Sequence, residues 1–393
     1  MLSAMLILMG GAAIAPALPL ISDAFPDASE ATISLIITLP ALAIALTGYF
    51  VGALSDKIGK IPVLVASVAI FSIAGSSGYY LTSLYAILIG RFILGVGIAG
   101  ITCTTSSLIV CYYDGATRAR VLGYQAAAMG IGVLILETSG GILAGISWRA
   151  AFLVYLIGVV ILAGVLLTMR EPVRPDIEEK TGVSDETLPV VPLLLGYGTL
   201  FLGNMLFFLL PTKFPYLLAN MEIAQVLGEN TALTTGVFLG IMGCASALIG
   251  IWYGRNAWKF HRYTLITLCF IFFGIGMCGL GCVTSFAAVG IAVIFVGLGE
   301  GILMPTILHW IAAITPKQYL GRANGGLSVA LNLGQFVSTL VIVPVIAMVA
   351  TYRNLFLAFG CAAFVLALPY VLAMIKERYA PHHSVQKWES HME

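Results

Sequence analysis

Three ionisable residues, Arg91, Glu137 and Glu300, each stand inside a long apolar run where almost nothing else is charged. An arginine at membrane depth costs a few kcal/mol even on the lenient insertion scale, so it must face a partner, water or a solute. A carboxyl group there is a candidate proton carrier, because desolvation penalises its charged form. It would serve equally as the permanent partner of an arginine or as the anchor of a cationic solute. Lys213 sits in Leu210-Pro211-Thr212-Lys213-Phe214-Pro215-Tyr216, where two prolines should interrupt a helix. Broken helices are tolerated at membrane depth where the freed backbone is buried in protein or lines water. Lys213 therefore either holds an anionic solute or snorkels to the surface. His309, four residues beyond Pro305, is either a proton relay or an interhelical hydrogen-bonding group. Asn204, Asn332 and Gln335, with Gln125, offer hydrogen bonds to a solute or between helices.

The same residues exclude several functions. No nucleophile, base and orienting group can be assembled from the few polar side chains inside the spans, so an enzyme is not expected. The seven cysteines are scattered through apolar runs without a CxxC or Cys/His pair at metal spacing, which predicts neither a disulfide framework nor a metal site, and no cofactor is implied. Gly59-Lys60 is not a phosphate-binding loop, because Leu54 occupies the place of its first glycine. A net charge of +1 supplies no basic field for nucleic acid.

The elements that must position these residues follow from composition. Of 393 residues 60% are hydrophobic and 9% charged, far from the roughly 25% charged residues of soluble domains, and the mean hydropathy is +1.02. Apolar stretches of helix-spanning length recur throughout, and in lipid such segments satisfy their backbone only as helices. The sequence predicts an all-α polytopic membrane protein with twelve transmembrane helices near 3–22, 32–54, 62–82, 84–111, 121–145, 150–169, 192–218, 231–253, 263–283, 285–314, 322–349 and 354–375. The first lacks a charged leader and a cleavage site, so it is expected to be a retained helix. With both termini cytoplasmic, fifteen of the 19 Lys and Arg fall in inner loops and the tail, two in outer loops and two within spans. That bias predicts both ends inside a plasma or inner membrane.

The polar stretch Arg170–Pro189 divides the spans six and six. This gives an N-terminal bundle over 1–170, a cytoplasmic linker over 171–190, a C-terminal bundle over 191–376 and a tail over 377–393. The halves are pseudo-symmetric: a shift of 202 residues sets Gly95 on Gly297, Gly97 on Gly299, Arg120 on Arg322, Gly123 on Gly325 and Gly132 on Gly334. Parallel repeats of this kind are a transporter signature, with a substrate site near the midplane where the halves meet.

Between the second and third spans runs Gly52-Ala53-Leu54-Ser55-Asp56-Lys57-Ile58-Gly59-Lys60. It resembles the loop signature of the major facilitator superfamily, G-x-L-x-D-x-x-G-K/R. Its glycines allow close helix approach, and Asp56, set against a helix N-terminus with Arg118 or Arg120 nearby, would latch one state of a cytoplasmic gate. In the second half the signature is degenerate, with Gly254 answering Gly52 but Trp258 standing at the place of Asp56. Arg91-Phe92-Ile93-Leu94-Gly95-Val96-Gly97 resembles the family's R-x-x-x-G-x-G motif, whose arginine faces the cavity and is associated with proton coupling. Gly123, Gly132, Gly140 and Gly141 keep the spacing of the family's antiporter motif, but Leu136-Glu137 replaces its Gly-Pro pair and weakens that implication.

The resemblance is to the twelve-helix drug:proton antiporter branch. It implies a monomeric secondary transporter that exchanges protons for small amphipathic compounds by alternating access. Glu137 and Glu300 would carry protons or hold substrate, with Arg91 their electrostatic modulator; Lys213, Asn204, Asn332, Gln335 and His309 would add substrate contacts. Its partners would be protons, a small-molecule substrate and the lipid bilayer. A carrier of an organic anion held by Arg91 and Lys213 remains open, as does a non-transporting receptor or scaffold on the same fold.

Overall fold

The computed structural model describes residues 2–7, 12–113, 115–171, 189–221, 231–283, 285–316 and 319–379. Most of the expected linker and tail lies outside them. Among the described residues there is no strand. A 3-10 segment, Ala12–Ala17, leads into α1 (Leu18–Ala24). Then follow α2 (Glu30–Ile58), α3 (Lys60–Gly75), α4 (Leu84–Tyr112) and α5 (Gly115–Ile146). The sixth span opens as a 3-10 segment, Ala150–Leu156, and continues as α6 (Ile157–Thr168). In the second half, α7 comprises Val190–Phe207 and, past Phe208, Leu209–Ala219. It is followed by α8 (Thr231–Asn256), α9 (Arg262–Cys282), α10 (Phe286–Ile314), α11 (Leu320–Val349) and α12 (Tyr352–Tyr379). Ten helices of the described residues are long and apolar enough to cross a membrane, and the remaining two spans are α1 with its 3-10 lead-in and α5.

Local chemistry sets the boundaries. Ser29 Oγ accepts the Thr32 N–H at the start of α2, and Ser285 Oγ accepts that of Ala288 at the start of α10. Gly59, at φ +109°, turns the chain from α2 into α3 in a conformation that side chains resist. The expected interruption of the seventh span is a break at Phe208. Pro211, three residues on, cannot donate to the Phe207 carbonyl four residues back, which frees that turn.

The repeat is built from close approaches. In the first half Gly95 of α4 meets Pro40 and Ala43 of α2; in the second, Gly297 of α10 meets Met242 and Ala245 of α8. Gly97 abuts Ser67 and Phe71 of α3, and Gly299 abuts Cys269 and Phe273 of α9. Each residue of one set lies 202 positions from its counterpart in the other. Without a hydrophobic force between helices in lipid, such small-residue contacts are what packs them.

The halves meet through α2 against α11 and α5 against α8, while the second segment of α7 packs on α1, α2 and the 3-10 segment before α1. The first segment of α7 makes no comparable contact with the first half. The assembly is therefore tied together at the end that carries residues 25–29, here the Glu30 end, opposite the Asp56 end with its Gly59 turn.

Candidate functional site

At the Glu30 end, three helices converge on one carboxylate. Glu30, the first residue of α2, accepts a hydrogen bond from Lys213 Nζ of α7 at 2.9 Å on Oε2 and one from the Tyr352 hydroxyl of α12 at 2.5 Å on Oε1. Lys213 is 3% exposed, and its ammonium also lies 4.9 Å from the centre of the Tyr216 ring. Tyr216 stacks on Tyr352 at an interplanar angle of 17° and donates to Leu18 O or Ser22 Oγ of α1. Deeper along the same seam, the hydroxyls of Thr38 in α2 and Thr339 in α11 share a hydrogen bond of 2.9 Å. The cluster joins α1 and α2 of the first half to α7, α11 and α12 of the second. Partners within hydrogen-bonding distance offset the cost of burying a charge such as Lys213. The expectation that Lys213 contacts substrate or snorkels thus meets a different geometry, in which its ammonium is already engaged by Glu30.

The two membrane acids stand apart. Glu137 is 4% exposed and lies nine residues from the end of α5, about 14 Å along the helix. Gly141, one turn further, packs on Ala232, Leu233 and Gly236 of α8, and the Glu137 carbonyl is close enough to Gly236 to exclude a side chain there. Glu300 is at the midpoint of α10, and its neighbours Gly299 and Gly301 press on α9 and on Ser246 and Ile249 of α8. Helix α8 therefore lies between the helices that carry the acids. Among the described residues one carboxyl oxygen of each acid is buried with no hydrogen-bond partner, and neither acid is in an ion pair. A buried polar atom left unpaired costs on the order of 1–3 kcal/mol, more for a charged group.

Arg91 is fully buried, its guanidinium carbon 4.7 Å from the ring centres of both Phe152 and Tyr155. The same rings fill the space above Gly78 and Gly75 at the end of the third span. The resemblance sets this arginine on the cavity as a modulator of the acids; here it is enclosed by aromatic faces inside the first bundle, which supply a cation–π environment. Asn204 and Asn332 turn their amides to carbonyls of their own helices, Leu200 O at 3.1 Å and Ser328 O at 2.8 Å. Both are buried, and Asn204 also abuts Gly334 of α11. Gln335 is half-buried and His309 is exposed. The structure brings none of these four to Glu137 or Glu300 through a described hydrogen bond.

At the Asp56 end the start of α3 carries a contact that the spacing did not predict. Asp56 is 73% exposed and pairs with Lys60 at 3.5 Å. It is Glu171, just past α6, that meets a helix N-terminus: its two carboxylate oxygens accept the N–H groups of Lys60 at 2.6 Å and Ile61 at 2.7 Å. The first N–H groups of a helix lack internal partners and favour negative charge, which explains the seat. The Tyr112 hydroxyl donates to the neighbouring Arg170 carbonyl and holds the same corner. Gly52 faces Cys103 of α4, whose thiol donates to Gly48 O at 3.6 Å, and Lys57 is exposed. The side chains of Arg118 and Arg120 lie outside the described residues.

Glu30 and Glu171 were not legible as site residues. Each sits at a span boundary, where an acid ordinarily reads as solvated, and each finds its partners more than a hundred positions away.

Comparison with known proteins fits this architecture. The family model described as Major Facilitator Superfamily matches residues 1–260 and 245–391. The chain is 25% identical over 318 residues to the multi-drug resistance efflux pump PmrA homolog of Lactococcus lactis, covering 77% of this chain and 76% of that one. It is 24% identical over 399 residues to the gentisate transporter of Corynebacterium glutamicum, covering 91% and 83%. Among solved structures, a bacterial homolog of the human lysosomal transporter Spinster, in an inward-facing and occupied conformation, aligns with a TM-score of 0.74 at 17% identity over 97% of both chains.

Proposed function

The chain belongs to the Major Facilitator Superfamily and is a multi-pass membrane transporter, and from that premise we propose that it exports small amphipathic compounds in exchange for protons. The observation that carries this reading is the pair of buried acids, Glu137 and Glu300, each with an unpartnered carboxyl oxygen. Exchange of a proton for a cationic or polar group at these positions changes which state of the two halves is favoured, which is what coupling requires.

With both termini cytoplasmic, the Glu30 end faces outward and the described conformation is closed to the outside. The Glu30–Lys213–Tyr352 cluster is then the outer gate, and alternating access requires it to part. At the opposite end, Glu171 on the α3 N-terminus secures the corner of the first bundle as it moves. The chain works as a monomer, since each half supplies the other's gate partners.

The test is proton movement in proteoliposomes under an imposed pH gradient, read with a trapped pH dye while cationic, neutral and anionic solutes are added. Proton flux triggered by lipophilic cations, and abolished in Glu137→Gln and Glu300→Gln proteins that still fold, is the expected result. Normal coupled transport in both variants overturns the assignment of the acids. Flux triggered by anions alone would favour an organic-anion carrier, the reading that the gentisate transporter's name suggests. Against that reading, Lys213 is already engaged by Glu30, whereas Arg91, flanked by two rings, keeps buried guanidinium nitrogens without a hydrogen-bond partner and stays compatible with it.

A further inference from the structure

A pocket of about 400 Å³ opens on the seam at the Glu30 end, between α2, α11 and the start of α12. It is away from Glu137 and Glu300, neither of which lines it. Its walls differ in kind: Glu30, Lys213 and Tyr352 form one corner, and Ile342, Val343 and Ile346 of α11 form an apolar face. Its volume falls within the range of roughly 300–1,000 Å³ typical of small-molecule sites, which combine an apolar lining with a few polar groups that fix orientation.

The polar corner presents an acid. Of the ion pair, Lys213 is 3% exposed and Glu30 41%, so an entering molecule meets the carboxylate. The ammonium is turned inward onto Glu30 Oε2 and the Tyr216 ring. Each Glu30 oxygen accepts one protein hydrogen bond and keeps a further lone pair. Asp23 and Asp27 on the approach to α2 are balanced at this end by Arg353 and by Arg149, whose neighbour Trp148 packs on Phe25, so the negative character of the corner comes from Glu30 itself.

We propose that this pocket is a second binding site, taking a small amphipathic organic cation with its charged group on Glu30 and its apolar body along α11. The ligand class rests on the exporter reading, whereas the site rests on the pocket itself. Because an occupant bridges α2 and α11 and competes with Lys213 for Glu30, its binding weakens the tie that holds the two halves together at this end. A compound leaving the protein outward would pass through it.

The experiment is a fluorescence-anisotropy titration of ethidium, a planar lipophilic cation, into the full-length protein in lipid nanodiscs. Saturable binding is expected. Val343→Trp, which fills the apolar side, and Glu30→Gln, which removes the charge, should each weaken it about tenfold, the scale of one lost charge-assisted contact. In the Glu137→Gln/Glu300→Gln background, which removes any share of cation binding at those two acids, a saturable component should remain and should still be weakened by Val343→Trp. Ala347→Phe, from the same wall of the pocket, replaces Val343→Trp if that protein does not fold. Absence of saturable binding overturns the proposal, as does a loss smaller than about threefold in the pocket-filling variant, well under the 1.4 kcal/mol that a tenfold change represents. Complete loss of saturable binding in the double variant also overturns it. Saturable binding of anionic fluorescein that Val343→Trp abolishes overturns the ligand class. Intact pocket binding without proton-coupled efflux defeats the exporter reading alone, whereas proton-coupled efflux with ethidium binding indifferent to Val343→Trp defeats the pocket alone.

Discussion

The two halves place the same glycines against the same helices, 202 residues apart, yet carry different charges at matching positions. Gly95 and Gly297 share one kind of contact, as do Gly97 and Gly299. But Glu300 falls on Ile98, Arg91 on Val293 and Glu137 on Thr339. The N-terminus of α3 is held by the Glu171 carboxylate, that of α9 by the His261 ring, whose Nδ1 accepts the Tyr263 N–H at 3.4 Å. Close packing is needed in each bundle, so its residues recur. A charge buried in a span costs a few kcal/mol wherever it stands, so it is not repeated where packing alone does not call for it. The asymmetry falls on the positions to which the proposed function gives a role.

The largest expected effect tests the shared part. A Cβ at Gly95 would collide with the Pro40 carbonyl, and one at Gly297 with the Met242 carbonyl. Gly95→Val and Gly297→Val should each destabilise the protein by about 3 kcal/mol or prevent its accumulation, the upper range for overpacking. Thermal unfolding of the purified variants measures this, and a strong effect in one half only would break the equivalence.

The next effect falls on the unmatched part. Lys213→Met removes the base from the Glu30 cluster, for which the first half has no counterpart, since position 11 is a glycine. Breaking a buried pair by removing one partner costs on the order of 3–5 kcal/mol, less here because Glu30 is part-exposed. The population closed at this end should fall. A cysteine at Thr339, under the same seam, should react with a membrane-impermeant maleimide about tenfold faster, the change that each 1.4 kcal/mol confers. An unchanged rate would mean that the ion pair does not hold the seam.

Smaller changes separate the two helix caps. Glu171→Gln should cost about 1 kcal/mol as a carboxylate is lost from a helix N-terminus. His261→Ala should cost less, because a long neutral contact is lost. Melting temperatures of the two variants decide the order, and equal values would show that the carboxylate adds nothing over a neutral cap. The smallest expected effect is that of Asp56→Asn on stability. Its pair with Lys60 is exposed, and such pairs contribute about 0.5 kcal/mol at most. A marked loss of transport with unchanged melting would then assign Asp56 to the cycle and not to the fold.

The sequence by itself determined the elements and their repetition. Span lengths follow from the apolar thickness a helix must cross, and the shift of 202 survives because the same close contacts recur in space. Pro211 and Pro215 announced a broken seventh helix; the break falls at Phe208, just ahead of Pro211, while Pro215 lies within the continuing helix. The acids Glu137 and Glu300 were conspicuous because a charge in an apolar run is rare. Only the tertiary structure decided the partners. It paired Lys213 with Glu30 across 183 positions, seated Glu171 on the N-terminus of α3, and enclosed Arg91 between Phe152 and Tyr155. Hydropathy and spacing fix where a residue lies along its helix. They do not fix the rotation of that helix or the position of one half against the other, and those two quantities determine which side chains meet.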